Sequence, residues 1–434
     1  MNFWIWNSKD LEFKYRFLKL SIFLFLFFLL IYLNYSYSFL VNFMAYDEKT
    51  LLKHINRIRM EIGHEEVDID LHEIIYDKEK NELWIITDDR PDKSAVIGKG
   101  GWVVGRLREV LEINSIHVES FSDFLLKKYR MELSNRRLES FISECGLDDD
   151  YILALNNLKT LLEFKLNDLY AFDFKDYFKD SKSDGNQLNG GCDGVNSDGV
   201  DGANLNEGSG YADLTVNSHE FKEADKPVAV VATSGGTDSS FSLILAKKLG
   251  FNPIAITVDP GTIVLPKQFK YNIDKLCEKL EVEHEYIPVD YSDLIAEAFT
   301  GRFHPCGRCS KIIEETIYRY ALDNDIRIVV FGDMLSTGSQ CITEQAVGDD
   351  DGKTLFRLNF PAALSVSKLE NKSLTSDYDL KEIKGFGCPL LYEVHSKFPH
   401  MKKYSIQRIL RETRSGALEP GEALDLIWSF YKTK

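Results

Sequence analysis

Cysteine is scarce in this chain: seven residues in 434, unevenly spread. Such a count excludes a disulfide scaffold at this length and points to a reducing compartment. Positive charge is also in deficit, with 52 Lys and Arg against 68 Asp and Glu and a net charge of -16. A generally basic nucleic-acid binder is thereby excluded, although a local basic patch is not. Apolar material is not lacking, since a hydrophobic content of 44% supplies proper cores for more than one domain.

One long, nearly uncharged run stands out: "FLKLSIFLFLFFLLIYLNYSYSFLV", from Phe17 to Val41. It is long enough to cross a bilayer as a helix. Lys14, Arg16 and Lys19 surround its start, but Lys49, Lys53, Arg57 and Arg59 follow it, so charge sets no orientation. No small-residue cleavage site follows. Residues 1–43 therefore read as a membrane anchor, as an upstream extension of a frame that begins at Met44, or as a signal peptide.

From Met44 the pattern is that of a small mixed α+β domain, residues 44–120. Asp47 caps a helix with apolar residues at Leu51, Leu52, Ile55 and Ile58. "VDIDLHEIIYD" and "ELWIITD" alternate at period two around "KEKN", a hairpin pattern. "AVIGKGGWVVGRLREVL" then interrupts helix with glycine, and "SIHVES" reads as a strand. Glycines at both ends of Gly98-Lys99-Gly100-Gly101 let two helices meet and let a sugar-phosphate backbone pass close to the main chain, with Lys99 adding charge. The order of elements and this turn resemble a type II KH domain, which implies single-stranded RNA at these four residues. Lys93, Arg106 and Arg108 extend a basic face around them. Residues 121–180 read as helix, with Lys127, Lys128, Arg130, Arg136 and Arg137 on a solvated face or an RNA-contacting extension. Residues 181–226, rich in Gly, Asp, Asn and Ser, read as a flexible linker in which Cys192 is incidental.

"KPVAVVATSGGTDSSFSLILAKKLG" opens the last domain, residues 227–434. An apolar strand runs into a turn of small polar residues and then into an apolar helix ending at Gly250. That arrangement makes an anion site: main-chain N–H groups converge, the helix dipole favours negative charge, and the hydroxyls of Ser234, Thr237, Ser239 and Ser240 add donors. The Lys-Ser/Thr end of a Walker A loop is missing. The stretch Ser234-Gly235-Gly236-Thr237-Asp238-Ser239 resembles instead the SGGxDS signature of the PP-loop ATP pyrophosphatases. The resemblance implies ATP cleaved between its α- and β-phosphates, transfer of AMP to a substrate oxygen, and pyrophosphate held by residues 234–240. Asp238 among phosphate donors makes sense with Mg²⁺ between it and the phosphates. Short apolar strands alternating with helices downstream predict a doubly wound parallel sheet of the HUP-like class, its site at the strand C-termini. Asp259 and Asp333 fall at two such ends, near the nucleotide or as turn formers.

"HPCGRCSK" places Cys306 and Cys309 just before a helix, where its N-terminus favours thiolates, and Cys388 lies far downstream in "GFGCPLL". Three thiolates on turns can hold a metal or cluster with one open position, form a persulfide and then a disulfide, bind zinc, or be unrelated. The set is similar to that of the two-thiocytidine and two-thiouridine tRNA thiolases. In that family Cys-x-x-Cys and a distant third Cys bind a [4Fe-4S] cluster, whose open iron carries sulfur. Neither paired Cys-x-x-Cys fingers nor a THUMP-like domain is evident, so the substrate position is not carried over. Cys145, Cys277 and Cys341 read as core; His304, His395 and His400 as surface or core; Gly348 to Gly352 as a solvated loop.

The sequence thus leads to an ATP-dependent tRNA sulfurtransferase in the cytoplasm, with Asp238, Cys306 and Cys388 catalytic and Cys306, Cys309 and Cys388 holding the cluster. Its expected partners are tRNA and a sulfur donor; association with a membrane through residues 17–41 and with a second copy in a homodimer stay open. Two rivals stay open: a PP-loop ligase or amidotransferase-type synthetase acting on a small molecule, and an ATP-gated RNA-binding protein.

Overall fold

The computed structural model describes residues 47–169, 172–180, 226–335, 340–346, 354–383 and 385–431. The apolar run 17–41, nearly all of the linker 181–226 and the acidic loop 348–352 lie outside the described residues. Among the described residues no helix is long and apolar enough to cross a membrane. The chain divides into two compact units, Met1–Phe124 and Leu125–Lys434.

In the first unit Asp47 caps α1 (Glu48–Glu61), accepting from the Lys49 and Thr50 N–H groups. The hairpin strands are β1 (Leu71–Asp77) and β2 (Glu82–Thr87), antiparallel in register. β1 begins later than the alternating pattern suggested. Helix α2 (Arg90–Ile97), a short 3-10 turn (Lys99–Gly101) and α3 (Trp102–Leu111) then lead to β3 (Ser115–Ser120), which pairs parallel to β2. Leu51, Ile55, Leu83, Ile85, Val96, Val103 and Leu107 form one buried core between helices and sheet. The Gly98, Gly100 and Gly101 φ angles are 71°, 65° and 75°, and a Cβ on Gly98 would lie 2.2 Å from a Val103 methyl. The turn therefore needs glycine for conformation and for space.

Charge around this turn differs from the expected basic face. Lys93 is 4% exposed and donates to Glu119 at 2.9 Å, and Arg106 pairs with Glu109 at 2.6 Å. Buried and paired with Glu119, Lys93 does not add to a solvent-facing basic surface. Lys99 and Arg108 stay exposed. Trp102, 46% exposed directly after the turn, was not singled out from sequence.

The second unit is built on a six-stranded sheet, order β6-β5-β4-β7-β9-β8. Its strands are β4 (Val228–Ala232), β5 (Asn252–Asp259), β6 (Glu283–Pro288), β7 (Ile328–Phe331), β8 (Ile342–Ala346) and β9 (Thr354–Asn359). All pairs are parallel except β8 with β9. Fully buried Ala229, Val230 and Val231 in β4, and Ile328 to Val330 in β7, read as unbroken apolar runs because helices cover both faces. The chain steps from β4 to β5 and β6 on one side, then returns to place β7 on the other. The crevice at such a reversal opens at the strand C-termini.

Helices α4 (Phe121–Glu144), α5 (Asp149–Asn167) and α6 (Phe174–Asp180) are interrupted where the sequence suggested continuous helix. Lys128 and Arg136 stay exposed, whereas Arg130 is buried. Leu155, Leu158, Leu162 and Phe174 share one buried core with Phe241 and Leu245, and the Phe174 and Phe241 rings meet edge to face at 5.2 Å. Arg130, 7% exposed, donates to the Ser415 and Met334 carbonyls, and Arg137 to the Ile342 carbonyl at 3.0 Å. Burial pushes the Arg130 guanidinium down to about 10, which still leaves it charged at neutral pH. Arg130 thus satisfies carbonyls at the end of a helix and in a loop, and Arg137 one at the start of β8. Leu158→Ala, at a site 1% exposed, is expected to cost about 2–5 kcal/mol, read as a lowered denaturant midpoint for the second unit.

Candidate functional site

The turn after β4 enters α7 (Thr237–Lys248) through Gly236, whose φ of -82° and ψ of 160° are those of an N-cap. Glycine brings no side chain to cap the helix, so the first N–H groups of this 12-residue helix meet no capping side chain. Gly235, at φ 73°, is required by space as well, since a Cβ would lie 2.5 Å from the Phe269 carbonyl oxygen. Gly332, just beyond β7, lets α7 come close, because a Cβ there would lie 2.8 Å from the Ser239 nitrogen. The loop thus stands at the sheet reversal, between the ends of β4 and β7.

Its hydroxyls divide into two roles. Ser239 Oγ accepts from the Ser234 N–H at 3.1 Å and donates to the Gly236 carbonyl at 3.0 Å, and Ser240 is 3% exposed. Ser239 thus braces the loop, and both Ser239 and Ser240 are buried at the start of the helix. Ser234 is exposed and Thr237 half-buried. Thr233 Oγ1 contacts Thr257 Oγ1 at 2.8 Å and so ties the loop to β5.

Each carboxylate expected near the nucleotide has a cationic neighbour. Asp238 accepts from Lys368 Nζ and, at 2.9 Å, from Asn371 Nδ2. Asp259 accepts from Lys270 Nζ and from the Gly261 N–H at 3.0 Å. Burial acts to raise the Asp259 carboxyl, but these donors hold it below the usual carboxylate range. Asp333 accepts from the Leu335 N–H at 2.8 Å and lies 4.0 Å from Arg357 Nη2. Lys270 and Lys368 escaped the sequence reading: one lies inside a regular amphipathic helix, α8 (Lys267–Leu280), the other 130 residues from Asp238 in chain order.

Lys368 opens α12 (Lys368–Thr375), which follows a single helical turn, α11 (Phe360–Ala363). A capping box fixes its start: Ser367 Oγ accepts from the Glu370 N–H at 3.2 Å, and Glu370 Oε2 accepts from the Ser367 N–H at 2.7 Å. Glu370 also accepts from Lys165 on α5, which is 4% exposed. Burial works to raise the Glu370 carboxyl, and Lys165 overrides it, leaving the acid below its usual range. One buried ion pair therefore holds the helix end that presents Lys368 and Asn371 to Asp238.

The three expected cysteines come together in the same unit. α9 (Ser292–Ala298) precedes α10 (Pro305–Asp323), whose first turn carries Cys306 and Cys309, and Cys388 is the N-cap of α13 (Pro389–Lys397). Cys309 and Cys388 pack with Tyr291, Leu294, Leu390 and Met401 in a small apolar cluster. Cys309 Sγ lies 3.8 Å from Tyr291 Oη, and the Leu390 N–H donates to the Ile263 carbonyl at 2.8 Å, tying α13 to the loop after β5. Burial pushes the Cys306 thiol up to about 12, although Arg408 draws it down, and burial likewise raises Cys309 and Cys388. Desolvation thus works against the favour that the helix starts give to thiolates. Among the described residues no three His, Cys, Asp or Glu side chains are gathered to hold a single metal ion. Cys145, Cys277 and Cys341 are buried, as expected of core residues.

The histidines join this end of the fold. Ser405 Oγ lies 3.1 Å from His304 Nε2 and 3.2 Å from His395 Nε2, bringing α14 (Lys402–Arg414) against α10 and α13. His400 Nε2 lies 3.1 Å from the Gly301 carbonyl oxygen.

The glycine-started helix at the sheet reversal is a main-chain anion site of the kind that the SGGxDS resemblance implies. The chain belongs to the family of MJ1638, an uncharacterized protein of Methanocaldococcus jannaschii, to which it is 32% identical over 202 residues, 46% of this chain and 74% of that protein. It is also 25% identical over 190 residues to the tRNA-specific 2-thiouridylase MnmA 2 of Fusobacterium nucleatum, spanning 39% of this chain and 52% of that one. Among solved structures, the U34-tRNA thiolase NcsA from Methanococcus maripaludis with its [4Fe-4S] cluster aligns at a TM-score of 0.29 and 16% identity, over 47% of this chain and 70% of that one. NMN synthetase from Francisella tularensis aligns at 0.30 and 18%, over 47% and 83%. No protein-family model matches the chain.

Two outcomes are expected. Lys165→Met leaves Glu370 buried and unpaired, so unfolding free energy should fall by about 3–5 kcal/mol and ATP affinity should weaken, read by denaturant titration and equilibrium nucleotide binding. His395, 4% exposed, has its imidazole pushed down to about 4, chiefly by burial and also by His304 and Lys402. Since the folded pKa lies below the ordinary 6.5, the unfolded chain binds the proton first. His395 therefore contributes stability above the ordinary value that is lost as pH falls toward 4. In His395→Gln the melting temperature should drop less over that interval than in the wild type.

Proposed function

We propose that the chain is an ATP-dependent tRNA sulfurtransferase of the cytoplasm, which adenylates a base carbonyl oxygen and replaces it with sulfur. One observation carries the reading: the 234–240 loop follows the C-terminal end of β4, while the cysteine-bearing helices are tied to the segments that follow the C-terminal ends of β5 and β6, α13 through Leu390 to the Ile263 carbonyl and Cys309 to Tyr291. A need for ATP and tRNA favours the cytoplasm.

In the first step the carbonyl oxygen of the base attacks the α-phosphorus of ATP, the bond from that phosphorus to the α,β-bridging oxygen breaks, and pyrophosphate leaves. The open N–H groups at the start of α7, with Ser234 and Thr237, fit the departing pyrophosphate. Asp238 fits the Mg²⁺ that ATP brings, and Lys270 and Lys368 offset phosphate charge. In the second step hydrosulfide from a sulfide-level donor attacks the same carbon, the carbon–oxygen bond breaks, AMP leaves with the oxygen, and loss of the S–H proton leaves the thiocarbonyl.

The donor chemistry suits a [4Fe-4S] cluster: Cys309 and Cys388 pack in one apolar pocket, and Cys306 lies on the same first helical turn as Cys309, although the three thiols are not gathered as a ready ligand group among the described residues. Such a cluster, bound to Cys306, Cys309 and Cys388, would supply an iron with an open position for sulfur. Tyr291, whose Oη lies 3.8 Å from Cys309 Sγ, would hydrogen-bond the Cys309 sulfur in such a site. The first unit, with its Gly98 to Gly101 turn, fits the RNA-holding role of a KH-like module.

Anaerobically purified protein should contain about four irons and absorb broadly in the visible, both lost in Cys388→Ala. Asp238→Ala should lose tRNA-dependent AMP formation while keeping its iron. A colourless protein that takes up no iron would overturn the cluster. AMP release driven by ammonia or glutamine with a small carboxylate, and not by tRNA with a sulfur donor, would move the chain to the synthetases.

A further inference from the structure

The C-terminal helices carry a surface that the proposed reaction does not use. Between residues 397 and 414 lie Lys397, Lys402, Lys403, Arg408, Arg411 and Arg414 against a single acid, Glu412, in a chain whose net charge is -16. Glu412 is 6% exposed and accepts from Arg408 Nε at 3.3 Å, so the outward charge of α14 is positive. Lys403, Gln407, Arg411 and Arg414 lie on its exposed side at helical spacing, beside Tyr404, which is 43% exposed, and Arg408.

α15 (Pro420–Ser429) adds aromatic surface next to it. Trp428 and Tyr431 are 56% and 54% exposed. Lys402 joins the two helices, its Nζ donating to the Phe430 carbonyl at 2.7 Å and lying 4.6 Å from the Tyr431 ring centre. The face adjoins the thiol cluster. Tyr404 lies 5.7 Å from His304, the N-cap of the helix that carries Cys306 and Cys309, and Ser405 is the bridge between His304 and His395.

We infer that this face of α14 and α15 is a second RNA site, which holds a single-stranded segment of the substrate beside the three cysteines. Cations of one sign suit a phosphate backbone, and exposed rings interleaved with them suit unpaired bases, which stack without regard to sequence. An electrostatic surface alone would not need the rings, and an apolar docking face would not carry five exposed or half-exposed cations. The inference rests on the tRNA reading above and adds where the unpaired stretch is gripped.

The test measures binding of bulk tRNA to the full chain at several salt concentrations, with ATP binding as a control for folding. Lys403→Glu with Arg411→Glu is expected to lower tRNA affinity at least ~10-fold and to flatten the salt dependence by about two phosphate contacts. Tyr404→Ala and Trp428→Ala are expected to lower affinity roughly 10-fold with the salt slope unchanged. If wild type binds tRNA and all these variants bind it equally, while Gly98→Asp with Lys99→Asp does not, the second site is overturned and the sulfurtransferase reading stands. If wild type binds no tRNA, both fall. Loss in the variants of binding to phosphatidylserine-rich vesicles, with tRNA binding intact, assigns the face to a membrane and overturns the inference.

Discussion

The N-terminus of α7 can lie against the end of β7 only because residue 332 has no side chain, and the rest of the nucleotide site follows from that approach. Gly235 and Gly236 serve the same end: one lets the turn fit against the Phe269 carbonyl, the other starts the helix without a capping side chain. Three glycines thus expose the positive end of a helix dipole at the sheet reversal, where main-chain donors converge on an anion. Ser239, held on the Gly236 carbonyl and the Ser234 N–H, keeps that geometry fixed before any ligand arrives.

Charge at the site is arranged by packing that lies well behind it. Asp238 meets Lys368 and Asn371 because α12 begins where it does, and α12 begins there because Glu370 closes a capping box while paired with buried Lys165. The helices between Leu125 and Asp180 are therefore part of the site's support, through a charge pair whose removal on one side leaves an unpaired buried ion. The thiols obey the opposite rule. Burial raises all three, working against the thiolate form.

What the sequence made legible was whatever is local. The strand, turn and helix at 228–248, the ends of α8 at Lys267 and Leu280, and β3 at Ser115–Ser120 each have their determinants within a few residues. The ligand-facing loop was legible because a phosphate site needs small residues and a helix start in one short stretch. Strands β8 and β9 were not, since "ITEQA" and "TLFRLN" are short, mixed in polarity and set around an acidic loop. Lys93, Arg130 and Arg137 misled for a related reason: charge in a sequence reads as solvated, whereas each finds a partner far along the chain, Glu119, Ser415 and Ile342. Lys270, Lys368 and Tyr291 were invisible because their roles depend on partners brought in by topology.

The central claim is that ATP is split between its α- and β-phosphates at the 234–240 loop. Turnover with tRNA and ATP labelled at the α- and γ-phosphates, with the products separated, decides it. The account predicts labelled AMP and intact pyrophosphate in equal amounts; labelled ADP with inorganic phosphate would contradict it.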